Sequence, residues 1–323
     1  MSTPEGVERL SRCITIAGIS QCRLFNDPHY FSILLSFSEV AVLDSATQEI
    51  VCCMGQPVAG NPTQFMMERA FAAAGLDWRY LTLEVAAENL GNAVRGMRAM
   101  GFKGGNFTLP HKVAVIEYLD KLSDAAEMMG AVNCVNRDGD LLIGENTDGK
   151  GFIQSLCDVV DPADKNVVVL GAGGAARAIA VELGLAKAAE VTIVNRTPER
   201  GQELVDLLKT KANVASKLTA WEADYTVPEE TDILVNATSL GMGDPDEIVP
   251  IEVDSLHARL VVADVIVNPP ETWLLRTAAD RGCQILDGLG MLVNQGVIGF
   301  KIWTETEPDA SVMREAVEEF LEV

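Results

Sequence analysis

Two glycine-rich and basic stretches hold side chains whose types and spacing could do chemistry. In VVVLGAGGAARA, Gly171, Gly173 and Ala176 fall in G-x-G-x-x-A spacing, directly after an apolar strand-like run and directly before a helical pattern. Glycine permits a tight turn there and lets a pyrophosphate approach the backbone, while the helix N-terminus offers its N–H groups to phosphate oxygens. A dinucleotide site is predicted. The next strand, in EVTIVNRTPER, ends in Asn195, Arg196 and Thr197, with Arg200 a turn later and no acid to grip a ribose 2′-hydroxyl. Guanidinium groups can fork onto a 2′-phosphate, so the expected cofactor is NADP.

The second stretch is GNFTLPHK, residues 105–112, where Pro110 opens a helical pattern and is followed at once by His111 and Lys112. Positive side chains in a first turn oppose the helix dipole by about 0.3–1 kcal/mol each, so the placement needs a reason. A lysine held in a partly desolvated site can protonate a nascent alkoxide. Histidine is scarce, with only His29, His111 and His257, which leaves Lys112 as the candidate proton donor. Asp148, at a turn in GENTDGKGF, could hold the ammonium in place. Plainer roles stay open: Lys112 and the Arg196/Arg200 pair as solvated surface charges, and Asp148 as a cap on the following helix.

These residues need elements to carry them. From Glu49 onward, short apolar runs alternate with amphipathic stretches through PHKVAVIEYLDKL, a βαβα pattern with a mostly parallel sheet. Two strand-like segments, GAVNCVNRDG and DLLIGENTDG, follow with a turn signal at Asp138-Gly139, closing a first module near residue 150. A second βα series starts at NVVVLGAGG and runs through CQILDGLG, and MLVNQGVIGFKIWTE has helical spacing. The fold class expected is α/β: two α/β domains around a cleft, the second a Rossmann-type doubly wound parallel sheet, with C-terminal helices packing back on the first. The division is 49–150, completed by 290–323, for substrate and catalysis, and 151–289 for NADP. Residues 1–48 match neither series; YFSILLSFSEVAVLD within them suggests ordered strands of unknown role.

Composition narrows the partners. A formal charge of −22 disfavours nucleic acid and anionic membranes, both of which require a cationic surface. The most apolar stretch, 167–186, is interrupted by Gly171, Gly173, Gly174, Arg177 and Glu182, so no membrane span is expected. The first residues lack a basic segment followed by an apolar one, which makes the cytoplasm the default compartment. Seven cysteines without C-x-x-C spacing fit reduced, buried thiols better than disulfides, and no metal is expected. The expected partner is a small molecule, with a homodimer admitted.

Taken together, GNFTLPHK, GAVNCV, GENTDGKGF, VVVLGAGGAARA, VNRTPER, VNATSLGM and DGLGMLVNQGVIGFKIW resemble the shikimate dehydrogenase family, in the same order and at similar spacing over roughly 50–305. The resemblance implies reversible NADPH-linked reduction of 3-dehydroshikimate to shikimate. It makes Lys112 the catalytic lysine and Asp148 its partner, and gives Asn106, Thr108, Asn133 and Gln295 to the substrate hydroxyls. It further implies that Gly171, Ala172, Gly173, Gly174, Ala175 and Ala176 line the pyrophosphate and that Asn195, Arg196, Thr197 and Arg200 hold the adenosine end. Thr238, Gly288 and Met291 would lie near the nicotinamide.

Two departures concern the substrate's carboxylate. Asn61 and Thr63, in QPVAGNPTQ, stand where the family has two serines that hold it, and Val267 stands where a tyrosine is usual. An amide and a hydroxyl can still donate to a carboxylate, so Asn61 and Thr63 are kept as substrate-binding candidates. A quinate or shikimate paralogue with another preferred hydroxy acid, or a non-catalytic NADP-dependent metabolite sensor, stays open as the alternative.

Overall fold

The apolar run EIVCCMG becomes strand β1 (Glu49–Gly55), whose last five residues are buried. The computed structural model describes residues 48–323; the segment 1–47, with the strands expected in it, lies outside the described residues. Along the chain follow α1 (Thr63–Ala73), β2 (Trp78–Glu84), α2 (Leu90–Ala99), β3 (Gly104–Phe107) and α3 (His111–Ala114). Next come β4 (Lys121–Leu122), α4 (Asp124–Met129), the hairpin β5 (Cys134–Asp138) and β6 (Leu141–Glu145), and α5 (Asp148–Cys157). These strands form one six-stranded sheet of order β2-β1-β3-β5-β6-β4, parallel at β2-β1-β3 and antiparallel at β3-β5-β6.

The second series gives β7 (Asn166–Leu170), α6 (Gly174–Leu185), β8 (Glu190–Asn195), α7 (Pro198–Leu207), β9 (Ala215–Ala220) and β10 (Ile233–Asn236). It ends with β11 (Val261–Asp264), α8 (Trp273–Asp280) and β12 (Gln284–Leu286). Every pair in this sheet is parallel, in the order β12-β11-β10-β7-β8-β9. The strand order reverses between β7 and β10, and in open sheets of this kind ligands bind outside the strand C-termini at that point.

Two helices then return to the first sheet. From α9 (Gly288–Thr304) and α10 (Ala310–Leu321), Val293, Val297, Phe300, Met313 and Val317 share one core with Val51, Met66, Phe71 and Tyr80. Burial of this much apolar surface, at roughly 25 cal/mol per Å², is what ties the end of the chain to its first strand. The Trp303 indole N–H adds a hydrogen bond to the Val135 carbonyl at 2.9 Å.

α5 sits between the two sheets and is held by glycines. A Cβ on Gly149 would lie 2.5 Å from the Ala178 carbonyl of α6, and one on Gly151 would lie 2.6 Å from the Gln295 nitrogen of α9. Glycine is therefore required at both positions for backbones to meet that closely. One expectation changes. The long helix expected over PHKVAVIEYLDKL is a single α-turn, α3, continued by a 3-10 turn over Val115–Tyr118. β-Branched Val113, Val115 and Ile116 lower helix propensity there, and one turn carries little macrodipole to oppose Lys112.

Candidate active site

The C-terminal ends of β1 and β3, the start of α5, the loops after β10 and β11 and the start of α9 converge on a cleft of about 680 Å3. Lys112 follows β3, and Asp148 is the first residue of α5. The lysine Nζ donates to Asp148 Oδ2 at 2.7 Å, with side chains 31% and 19% exposed. The ammonium thus faces the cleft with one N–H on the aspartate and the others free. Lys112 does not stray into the helix start by accident: its own carbonyl accepts from the Val132 N–H at 2.7 Å, which ties this turn to the segment carrying Asn133.

Asn133 is fully engaged. Its Nδ2 donates to Asp148 Oδ1 at 2.8 Å and to Thr147 Oγ1 at 3.0 Å, while its Oδ1 accepts the Thr147 N–H at 2.7 Å. Both amide hydrogens are used within the protein, and Asn133, which also lines the cleft, positions Asp148. Asn146 Oδ1 accepts the Asp148 N–H at 3.2 Å and satisfies one of the orphan donors of the α5 start.

Asn106 lies opposite Cys53 in the β1–β3 register and also lines the cleft. Its Oδ1 accepts from the Tyr80 hydroxyl at 2.6 Å and its Nδ2 donates to the Asn133 carbonyl at 3.1 Å, leaving one N–H for the cleft. Thr108, Asn61, Thr63 and Gln295 are in the same wall. Asn61 Oδ1 accepts the Thr63 N–H at 2.9 Å, and its Nδ2 is directed at the Cys53 sulfur, 3.8 Å away. Gln295 Nε2 donates to the Leu292 carbonyl of its own helix at 3.0 Å. Val267 presents methyl groups to the cleft from the loop after β11.

Gly171 has φ +107°, a backbone conformation that favours glycine, and donates its N–H to Val194 at 2.7 Å. Gly173 and Gly174 are exposed, and a Cβ built on either would meet nothing within 4 Å. That open space above the start of α6 fits a pyrophosphate approaching the backbone. Ala172 and Ala175 are half-buried, and Ala175 reaches the cleft. Ala176 departs from its expected contact: it is fully buried in the core beneath α6, so its small side chain serves helix–sheet packing.

Past β8, Arg196, Thr197 and Arg200 are exposed, and among the described residues neither arginine has an ion-pair partner. Asn195 Nδ2 donates to the Thr197 carbonyl at 2.7 Å and shapes the turn. Two free guanidinium groups fit a phosphate there. Thr238, Gly288 and Met291 all line the cleft. The Thr238 hydroxyl is committed to Asn236 Oδ1 at 2.7 Å, and Gly288 lets α9 begin against the Ile266 carbonyl, where a Cβ would collide.

Sequence reading missed three buried groups. Cys53 lines the cleft, and burial pushes its thiol up to about 11, against the Tyr80 hydrogen bond and the Lys112 charge. It stays a neutral thiol. Tyr80 orients Asn106, and burial holds its phenol well above the ordinary range. Asp264, at the end of β11, is pushed up to about 6 by burial although Asn236, Thr272 and the Ile266 N–H donate to it. An acid closing the apolar run VVAD was the available signal. His111, in contrast, has a local packing role: it is buried, with Nε2 2.7 Å from the Val85 carbonyl. Of the described cysteines four are buried, while Cys157 is exposed, contrary to the expectation for that residue.

Comparison with known proteins gives matches to the shikimate dehydrogenase substrate binding domain over residues 53–135, to shikimate / quinate 5-dehydrogenase over 155–242 and to the shikimate 5′-dehydrogenase C-terminal domain over 288–318. A shikimate dehydrogenase (NADP+) of Methanopyrus kandleri is 40% identical over 287 residues, 87% of this chain and 99% of that one. Among solved structures, a ligand-free 5-ketofructose reductase from a Gluconobacter strain is 49% identical with a TM-score of 0.83, covering 85% of this chain and 99% of that one. The shikimate 5-dehydrogenase of Thermus thermophilus, in complex with NADP(H) and shikimate, is 33% identical with a TM-score of 0.74 over 85% and 100%.

Proposed function

The chain belongs to the shikimate dehydrogenase family, and from that premise we propose that it catalyses NADP-linked, reversible reduction of a polyhydroxylated ketone, with 3-dehydroshikimate and shikimate as the substrate pair. The observation that carries this is the 2.7 Å pair of Lys112 and Asp148 lining a cleft that also takes in the start of the glycine-loop helix. When bound, NADPH supplies the hydride. Lys112 gives its proton to the carbonyl oxygen as negative charge develops there, and takes it back in the oxidative direction. Asp148 holds the ammonium and Asn133 holds Asp148, so the donor is oriented before substrate arrives.

Asn61, Thr63, Asn106, Thr108 and Gln295 take the substrate. Gly171, Gly173, Gly174 and Ala175 take the pyrophosphate, Arg196 and Arg200 the 2′-phosphate, and Thr238, Gly288 and Met291 the nicotinamide side. Residues 49–150 with 290–323 form the substrate half and 151–289 the cofactor half. The likeness to 5-ketofructose reductase brings a second class of carbonyl, a ketose, to the same chemistry. A cytoplasmic location agrees with five free cysteines among the described residues. A homodimer is the proposed assembly, to be checked by light scattering.

The test is spectrophotometric. Purified protein should consume NADPH with 3-dehydroshikimate and form it from NADP+ and shikimate, with NAD much poorer. Tight NADPH binding without turnover in either direction would leave a metabolite sensor and overturn the catalytic assignment.

A further inference from the structure

We infer that the part of the cleft lined by Asn61, Thr63 and Val267 is built for an uncharged, hydroxylated group, so that the favoured substrates are polyhydroxy ketones without a carboxylate. This rests on the NADP-linked carbonyl reduction proposed above and places uncharged ketones ahead of the carboxylated pair as its favoured substrates.

Charge comes first. Among the described residues lining the cleft, the charged side chains are Lys112 and Asp148, and they are paired with one another. Cys53 is neutral. A ligand carboxylate would therefore be a net anion without a counter-charge, in a chain whose formal charge is already −22. Taking an ion from water into such a wall is costly unless strong donors replace its hydration.

Those donors are few. The Asn61 carbonyl is used on the Thr63 N–H, which fixes the amide with its NH2 group toward the Cys53 sulfur. Thr63 offers the one hydroxyl on this segment, and it can donate one hydrogen. Val58, Val267, Leu292 and Leu321 add carbon to the same wall, which also holds Thr108 and Gln295. A carboxylate accepts at up to about four lone-pair sites, of which the second Asn61 N–H and the Thr63 hydroxyl would meet two. A hydroxyl or hydroxymethyl group needs only one or two partners, can donate as well as accept, and packs its carbon against the valines and leucines. Thr63 Oγ1 can accept from such a group, a role that it cannot play toward an ionised carboxylate.

The reaction balances as before. The carbonyl carbon gains a hydride from NADPH, its oxygen gains the Lys112 proton, and the π bond is converted to a secondary alcohol as NADP+ forms. No step needs the carboxylate.

The experiment compares kcat/KM at fixed pH for 3-dehydroshikimate and 5-ketofructose with NADPH, and for shikimate, its uncharged methyl ester and fructose with NADP+. At least one uncharged compound should exceed its carboxylated counterpart tenfold or more. The Asn61→Ser/Thr63→Ser double variant, alone and with Val267→Tyr, should move that ratio at least tenfold toward the carboxylated substrate. Preference of the unaltered protein for both carboxylated compounds would overturn this inference and leave the proposed function standing. Turnover of none of the five, with NADPH still bound, would overturn both. If the variants do not fold, the two comparisons in the unaltered protein decide.

Discussion

Replacing Lys112 with methionine removes the ammonium and keeps most of the side chain's stem. The two consequences can be sized separately. For folding, the loss is one ion pair whose partners are 31% and 19% exposed, and pairs of that kind contribute about 1 kcal/mol or less. Asp148 keeps its hydrogen bond from Asn133 at 2.8 Å, so no buried charge is stranded. The melting temperature should fall by no more than about 2–4 °C. For catalysis, the loss is the proton donor itself, usually worth about 10²–10⁴ in turnover, or about 2.7–5.5 kcal/mol of barrier. NADPH affinity, measured by fluorescence titration, should be unchanged. Lys112→Arg sharpens the test, because a guanidinium can still pair with Asp148 but does not release its proton in a protein. Steady-state kinetics with 3-dehydroshikimate should show that Arg does not rescue. Turnover within tenfold of the unaltered protein for either variant would refute the assignment of Lys112.

Arg196→Ala/Arg200→Ala should weaken NADP at least tenfold more than NAD in paired KM measurements, since charge-assisted bonds to the 2′-phosphate exist for NADP alone; equal losses would remove the phosphate from this corner. Gly151→Ala should cost about 1–3 kcal/mol in urea unfolding and lower turnover roughly 10–100-fold, because its Cβ pushes α5 and Asp148 off α9. Gly174→Ala, with nothing near its Cβ, should leave stability within about 0.5 kcal/mol but weaken NADPH binding, and unchanged binding would put the pyrophosphate elsewhere. Asp264, pushed up to about 6 when folded, keeps a proton that the unfolded chain has released. Its contribution to stability is therefore present below about pH 4 and lost as pH rises through about 6, a decline of about 2–3 kcal/mol. Unfolding curves of Asp264→Asn between pH 4 and 7 should lack that decline, and a difference from the unaltered protein that does not vary with pH would contradict it.

Much of the molecule was readable from residue order because the causes are local. The alternation of apolar runs with helical spacing, the turn at Asp138-Gly139 and the glycine loop after β7 depend on backbone sterics and period, which a linear string carries in full. The absence of an acid after β8 is a local fact as well, and it made NADP the expectation before any coordinates. Pairing Lys112 with Asp148 across 36 positions was a candidate from residue type, and the resemblance of several motifs in order made it the expectation, since spacing alone does not bring a strand end to a helix start.

Other features depend on neighbours far away in the chain. β9 went unread because ASKLTA has little apolar character of its own and becomes a strand by pairing with β8. The helix expected after Pro110 stops at one turn, as local propensity gives way to the packing of the segment that follows it. Asn133 reads as a polar residue free to meet substrate, yet Thr147 and Asp148 take every hydrogen-bonding position it has. Gly149 and Gly151 look like loop residues in TDGKG, and the reason for them is two other helices, α6 and α9, whose backbones pass within contact of theirs. Which atoms remain free to meet a ligand is a remainder, left after folding has satisfied its own buried donors and acceptors. A sequence names the groups, and the tertiary structure decides which of them are still available.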